Sequence, residues 1–145
     1  MWRWRGGSQR GQAMVELALV LPIVLVLLFG VMTFGIAVNT KIATATAARE
    51  AARDYAVNKS VSDAVDRARS LLRAALPVSD AEFWQSFDPN RDVSVEVSGG
   101  YVTVTVTYHQ PVYVPGLLTV LRGSRLGDAS GRLALSSAAT FRLEQ

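Results

Sequence analysis

From Leu17 to Val38 the chain runs through 22 consecutive residues without a charge, mostly Leu, Val and Ile. At 1.5 Å per residue a helix of that length reaches about 33 Å, enough to cross a hydrocarbon core of about 30 Å. Helices buried in soluble cores rarely run so long without a polar face. The run therefore predicts a transmembrane span and divides the chain in two. Beyond it, residues 58–145 suffice for one small domain and not for a large enzyme fold.

The charge distribution orients this span. Arg3, Arg5 and Arg10 precede it with no acid among residues 1–11, whereas Lys41, Arg49, Glu50, Arg53 and Asp54 after it are mixed in sign. The arginine side is expected to stay in the cytoplasm, leaving the C-terminal part exported. Those three arginines equal the whole formal net charge of +3, so the pI near 9.7 belongs to a basic leader rather than to a nucleic-acid-binding face. No nucleic-acid partner is expected. Pro22 lies inside the span, where a missing backbone donor is tolerated better than in a soluble helix.

The helical pattern continues past the membrane through Lys41–Val57, with good helix formers and neither Pro nor Gly. One helix over residues 12–57 is the simplest expectation. Along it Ala43, Ala47 and Ala51, and likewise Ala48, Ala52 and Ala56, recur every four residues. Such stripes let another helix approach closely, although alanine used only as a helix former gives the same spacing.

Glu16 stands against the start of the apolar run. A carboxylate buried in lipid without a partner costs a few kcal/mol, so it needs a cation or access to the headgroups. A cut between Gly11 and Gln12 would make Glu16 the fifth residue of the mature chain and create an α-amine four residues before it, on the same helical face. Amine and carboxylate could then neutralise each other within or between subunits and set the axial register of neighbouring helices. Glycine before the cut lets extended backbone enter a peptidase cleft without hindrance.

At these residues the sequence resembles a type IV prepilin processing site. The longer string Arg10-Gly-Gln-Ala-Met-Val-Glu-Leu-Ala-Leu-Val-Leu-Pro22 is similar to the TadE-like family. The carboxyl end, Leu135-Ser-Ser-Ala-Ala-Thr-Phe-Arg-Leu-Glu144, resembles the small-residue strand that closes those proteins. The resemblance implies a pseudopilin cut by an aspartic prepilin peptidase of the inner membrane, acting with other pilin-like subunits and the tight-adherence assembly platform. Gly11 then precedes the cut, Gln12 is the new N-terminus and Glu16 is the assembly carboxylate. Major pilins of these systems are shorter and commonly place Tyr after the glutamate, where this chain has Leu17, so the resemblance favours a minor subunit. TadG-like proteins carry a large adhesion-type domain that this chain has no room for.

The exported part predicts an α+β domain. Ser60-Val-Ser-Asp63 has the shape of a capping box ahead of a second, shorter amphipathic helix ending near Ala75, before Pro77. Ala81–Pro89 holds three aromatics and reads as a loop plugging the core. Val93, Val95 and Val97 alternate with polar residues, Gly99-Gly100 follows, and Tyr101–Tyr108 alternates again, which predicts a hairpin. After a connection punctuated by Pro111, Pro115, Gly116, Gly123, Gly127 and Gly131, residues Leu133, Leu135, Ala139, Phe141 and Leu143 share one face of a third strand. A three-stranded antiparallel sheet with its valine face on the helices follows. Its threonine face, Thr103, Thr105 and Thr107, is expected to be solvated.

Catalytic chemistry finds no support. The chain lacks cysteine, which removes disulfides, thiolate metal sites and cysteine nucleophiles. His109 is the only histidine, without a second ligand at useful spacing, and no phosphate-cradling glycine loop or nucleophile elbow occurs. Neither a cofactor nor a metal is expected. Two other readings remain open: an uncleaved single-pass scaffold or anchor of the same apparatus, and a secretory signal cut near Ala43-Thr-Ala45. Against the second, the apolar run exceeds the 7–15 residues typical of signal cores.

Overall fold

The structure is a computed structural model, described here over residues 9–112 and 132–143. Most of the leader and the greater part of the connection after Pro111 lie outside the described residues. Four helices precede and lead into a three-stranded sheet: α1 (Gln9–Asn58), α2 (Val61–Ala75), α3 (Asp80–Ser86), α4 (Pro89–Asp92), β1 (Val93–Ser98), β2 (Tyr101–Gln110) and β3 (Leu133–Arg142). The expected α+β architecture is present.

α1 is a single helix of 50 residues, about 75 Å long, and it runs through Pro22 without ending. It starts three residues before the expected Gln12. At its other end Lys59 adopts φ 55 and its N–H donates to the Tyr55 carbonyl at 2.8 Å. This is the left-handed cap that releases a chain from a helix, made by a residue with a Cβ where glycine is usual.

The turn hands the chain to α2, which folds back antiparallel along α1. Ser60 caps it, its Oγ accepting from the Asp63 N–H at 3.3 Å, and Ala64, Ala68 and Leu72 place one residue per turn in the core. Pro77 ends the helix by forcing Leu76 into an extended conformation.

The segment expected as a loop over Ala81–Pro89 is instead helical. Ser79 caps α3 through the Glu82 N–H and Asp88 caps α4 through the Asn90 N–H, with Pro89 in the first turn of α4. The plugging role survives: Phe83 and Phe87 are buried with ring centroids 5.4 Å apart, and Phe83 stands 6.1 Å from Tyr108. Trp84 points outward and is 52% exposed.

The sheet order is β1-β2-β3, antiparallel throughout. Gly99 and Gly100 both take positive φ, as a two-residue hairpin turn of right-handed strand twist demands. The central strand presents Val102, Val104, Val106 and Tyr108 inward, all fully buried. On β3 the inward face is the expected odd-numbered one, but it is only half-buried, and Phe141 at its end is exposed. Serine and alanine on β3 allow α1 to lie close: Thr44 and Ser137 hydroxyls are 3.3 Å apart, and Lys41 Nζ donates to the Ser136 carbonyl. On the outer face Thr103 and Thr140 pair at 2.9 Å across the strands, and the threonines are half-exposed.

The core occupies only the second half of α1. Thr40, Ala43, Thr44, Ala47, Ala48, Ala51 and Ala52 are buried against α2 and the sheet. Relieving the left-handed strain at the helical turn should strengthen this hairpin. Lys59→Gly is expected to stabilise the domain by about 0.5 kcal/mol and Lys59→Val to destabilise it by about 1–2 kcal/mol, read by calorimetry of the full chain in detergent.

Candidate functional site

The first half of α1 packs against nothing among the described residues. Val31, Phe34 and Leu27 are 73%, 71% and 65% exposed, and no residue of the most apolar 18-residue window is buried. Burying a Val, Leu or Ile side chain is worth about 1.5–3 kcal/mol, so leaving this whole segment in water would cost on the order of tens of kcal/mol. A helix of this length and composition fits a single pass through a bilayer.

Gly11, Gln12 and Glu16 lie at the start of this bare segment, and all three are exposed. Gln12 and Glu16 are one helical turn apart and share a face. Among the described residues no ion pair holds Glu16. The Gly11-Gln12 peptide bond sits inside the first turn of α1, where the backbone N–H groups have no intrahelical acceptor and glycine lowers helix stability by about 1 kcal/mol. That turn is the least costly place in α1 to unwind.

The span from Leu17 to Val38 meets the packed domain in its last turn, where Ile36 and Ala37 are half-buried. Just above it, Thr40 Oγ1 donates to Gln110 Oε1 at 2.6 Å, a buried bond between residues 70 apart in sequence. The alanine stripes follow directly. Ala43, Ala47 and Ala51 make their close approach inside the chain, to α2 and the sheet, and at 7%, 0% and 0% exposure they present no surface to a neighbouring subunit.

One polar cluster escapes a reading of the sequence. Asp92, at the end of α4 with a side chain 3% exposed, accepts from Arg91 Nε at 2.7 Å and Nη2 at 3.0 Å and from the Asp88 N–H at 2.9 Å. His109 Nε2 lies 3.3 Å from its Oδ1. Burial alone would raise the Asp92 pKa. The hydrogen bonds from Arg91 and Asp88 and the charges of His109 and Arg91 outweigh it, leaving the carboxyl below its ordinary value. The pair is separated by 17 residues and is brought together by the β1–β2 hairpin, so no local spacing announces it. Nearby, burial pushes the Tyr108 phenol up, and Arg132 Nη1 donates to Ser86 Oγ at 2.6 Å. Among the described residues no three His, Asp or Glu side chains converge as metal ligands. The cluster ties α4 to β2 and has the character of a structural clasp.

Comparison with known families bears on the bare half of α1. Residues 11–53 match the family model for TadE-like protein. Over these residues the chain is similar to TadE-like proteins. The TadE-like match opens on Gly11, spans the bare half of α1 and its first packed turns, and includes none of α2 or the sheet. The similarity thus covers less than a third of the chain and is confined to α1. No curated protein and no solved structure matches the chain significantly.

The Asp92 clasp has a defined pH signature. A carboxyl with a depressed folded-state pKa contributes stability above its unfolded pKa and loses it as pH falls through the folded one. Acid titration of the full chain in detergent should therefore show stability falling below about pH 4. Asp92→Asn is expected to be less stable at pH 7 and to flatten that acid limb.

Proposed function

We propose that the chain is a minor pilin-like subunit, a pseudopilin, of a tight-adherence pilus system. In this reading a prepilin peptidase cuts it after Gly11 and leaves Gln12 as the N-terminus. The observation that carries the proposal is the position of Gly11. It opens the TadE-like segment, stands five residues before Glu16, and lies at the foot of an apolar helix that none of the described residues covers.

Each part then has a task. The basic leader holds the N-terminus in the cytoplasm. The bare half of α1 anchors the subunit in the inner membrane, and the packed domain is exported. On cleavage the new α-amine at Gln12 lies one turn from Glu16. Within a bundle of such helices, amine and carboxylate of neighbouring subunits would neutralise each other in a low-dielectric environment. That pairing selects one axial register because any other leaves two unpaired charges in an apolar bundle. The apparatus supplies the other partners: further pilin-like subunits and the assembly platform.

A second reading draws on the continuity of α1 across Gly11: an uncleaved single-pass anchor or scaffold of the same apparatus. Two substitutions separate the readings in cells carrying the full system. For a pseudopilin, Gly11→Val blocks processing and abolishes its contribution to pilus assembly. Glu16→Ala leaves the chain processed and inserted but lowers assembled pili by roughly tenfold or more, as loss of a buried ion-pair partner worth several kcal/mol requires. For an anchor, Gly11→Val changes neither chain length nor pilus yield.

A further inference from the structure

Two grooves at the foot of the packed domain have no role in processing or assembly as proposed above. One, of about 250 Å³, lies between Ile36 and Asn39 of α1 and the Leu76-Pro77-Val78 turn. The other, of about 310 Å³, lies between Ile42 and Ala43 of α1 and Leu71 and Ala75 of α2. They meet at Asn39, which lines both, and form one apolar trough along the α2 side of α1. Its rim leaves Ile42 61% exposed, with Ala74, Ala75 and Pro77 also open.

The length of α1 fixes the height of this trough. If Glu16 sits at one edge of a hydrocarbon core of about 30 Å, about 20 residues of helix bring the opposite edge to Ile36. The headgroup layer adds roughly 5–7 Å on that side, about four residues of helix, which reaches Thr40 and brings Ile42 to its outer boundary. The trough thus begins in the last turn of the charge-free run, at Gly35 and Ile36. α3 follows from the same end of α2 and carries the exposed Trp84, a residue type enriched at membrane–water interfaces.

We propose that the foot of the domain is seated in the outer headgroup layer, with phospholipid filling the trough between α1 and the end of α2. The inference rests on residues 17–38 spanning the bilayer. Lipid is the occupant that the height of the trough favours, because its apolar lining of Ile36, Ile42, Leu71 and Ala75 adjoins the end of the membrane-spanning run. Seating the foot in this layer also fixes the depth of Glu16. The domain acts as a stop that keeps the carboxylate at the inner boundary until the subunit is lifted from the membrane.

The absence of cysteine allows single-site labelling of the full chain in phospholipid vesicles. An environment-sensitive fluorophore is placed in turn at Ile42→Cys, Ala75→Cys, Leu25→Cys and Val57→Cys. Quenching is measured with lipids spin-labelled near the headgroup or deep in the acyl chain. The expected result is quenching at positions 42 and 75 by the shallow label roughly threefold or more above that at position 57, and quenching at position 25 mainly by the deep label. Position 25 quenched while 42 and 75 match 57 overturns the seated foot alone. No quenching at 25 overturns the span reading and this inference with it. Contact between labels of two copies at position 75, without lipid quenching, assigns the trough to a second copy and overturns the proposal.

Discussion

One helix is required to satisfy two solvents. The first half of α1 carries an apolar surface that none of the described residues covers, and its second half is packed by α2 and the sheet. Because α1 is continuous, the boundary between those halves fixes where lipid ends and the folded domain begins. Everything else follows from that boundary. α2 must return along α1 and stop before it, which Pro77 ensures, and the sheet must close on the remaining side, which the small residues of β3 permit.

The core holds together without covalent staples. Alanine on α1 and serine and alanine on β3 let the helix and sheet approach closely, and the larger side chains that fill the space come from elsewhere: Leu72 from α2, Phe83 and Phe87 from the α3–α4 segment, and Tyr108 from β2. Where polar groups enter the core they are bonded to partners far off in sequence, as Thr40 is to Gln110 and Asp92 is to His109. These bonds fasten the C-terminal end of β2 to α1 and to α4.

Much of this was legible in the residues. The span follows from uncharged length, α2 from Ser60 and its three-residue spacing to Asp63, the hairpin from Gly99-Gly100 between alternating valines, and the inward face of β3 from odd-numbered apolar positions. Ala81–Pro89, expected as a loop, carries its helical signal in local caps rather than in apolar periodicity. Ser79 with Glu82 three residues on is a capping box, and Asp88-Pro89 is a helix start. The destination of the alanine stripes was not legible, because four-residue spacing is identical for a partner within the chain and one outside it. Nor was the Asp92 clasp, whose members meet only after the hairpin closes. At the candidate processing site, the types and spacing of Gly11, Gln12 and Glu16 were the whole signal, and the helix adds that the bond between Gly11 and Gln12 lies in a turn easily unwound.

The central claim is that the chain matures at one peptide bond. Intact mass and N-terminal sequencing of the protein from native membranes, with the peptidase of the system present, test it most directly. The account predicts a chain beginning at Gln12, shorter by the eleven-residue leader that ends at Gly11. A chain still beginning at Met1 in those membranes would contradict it.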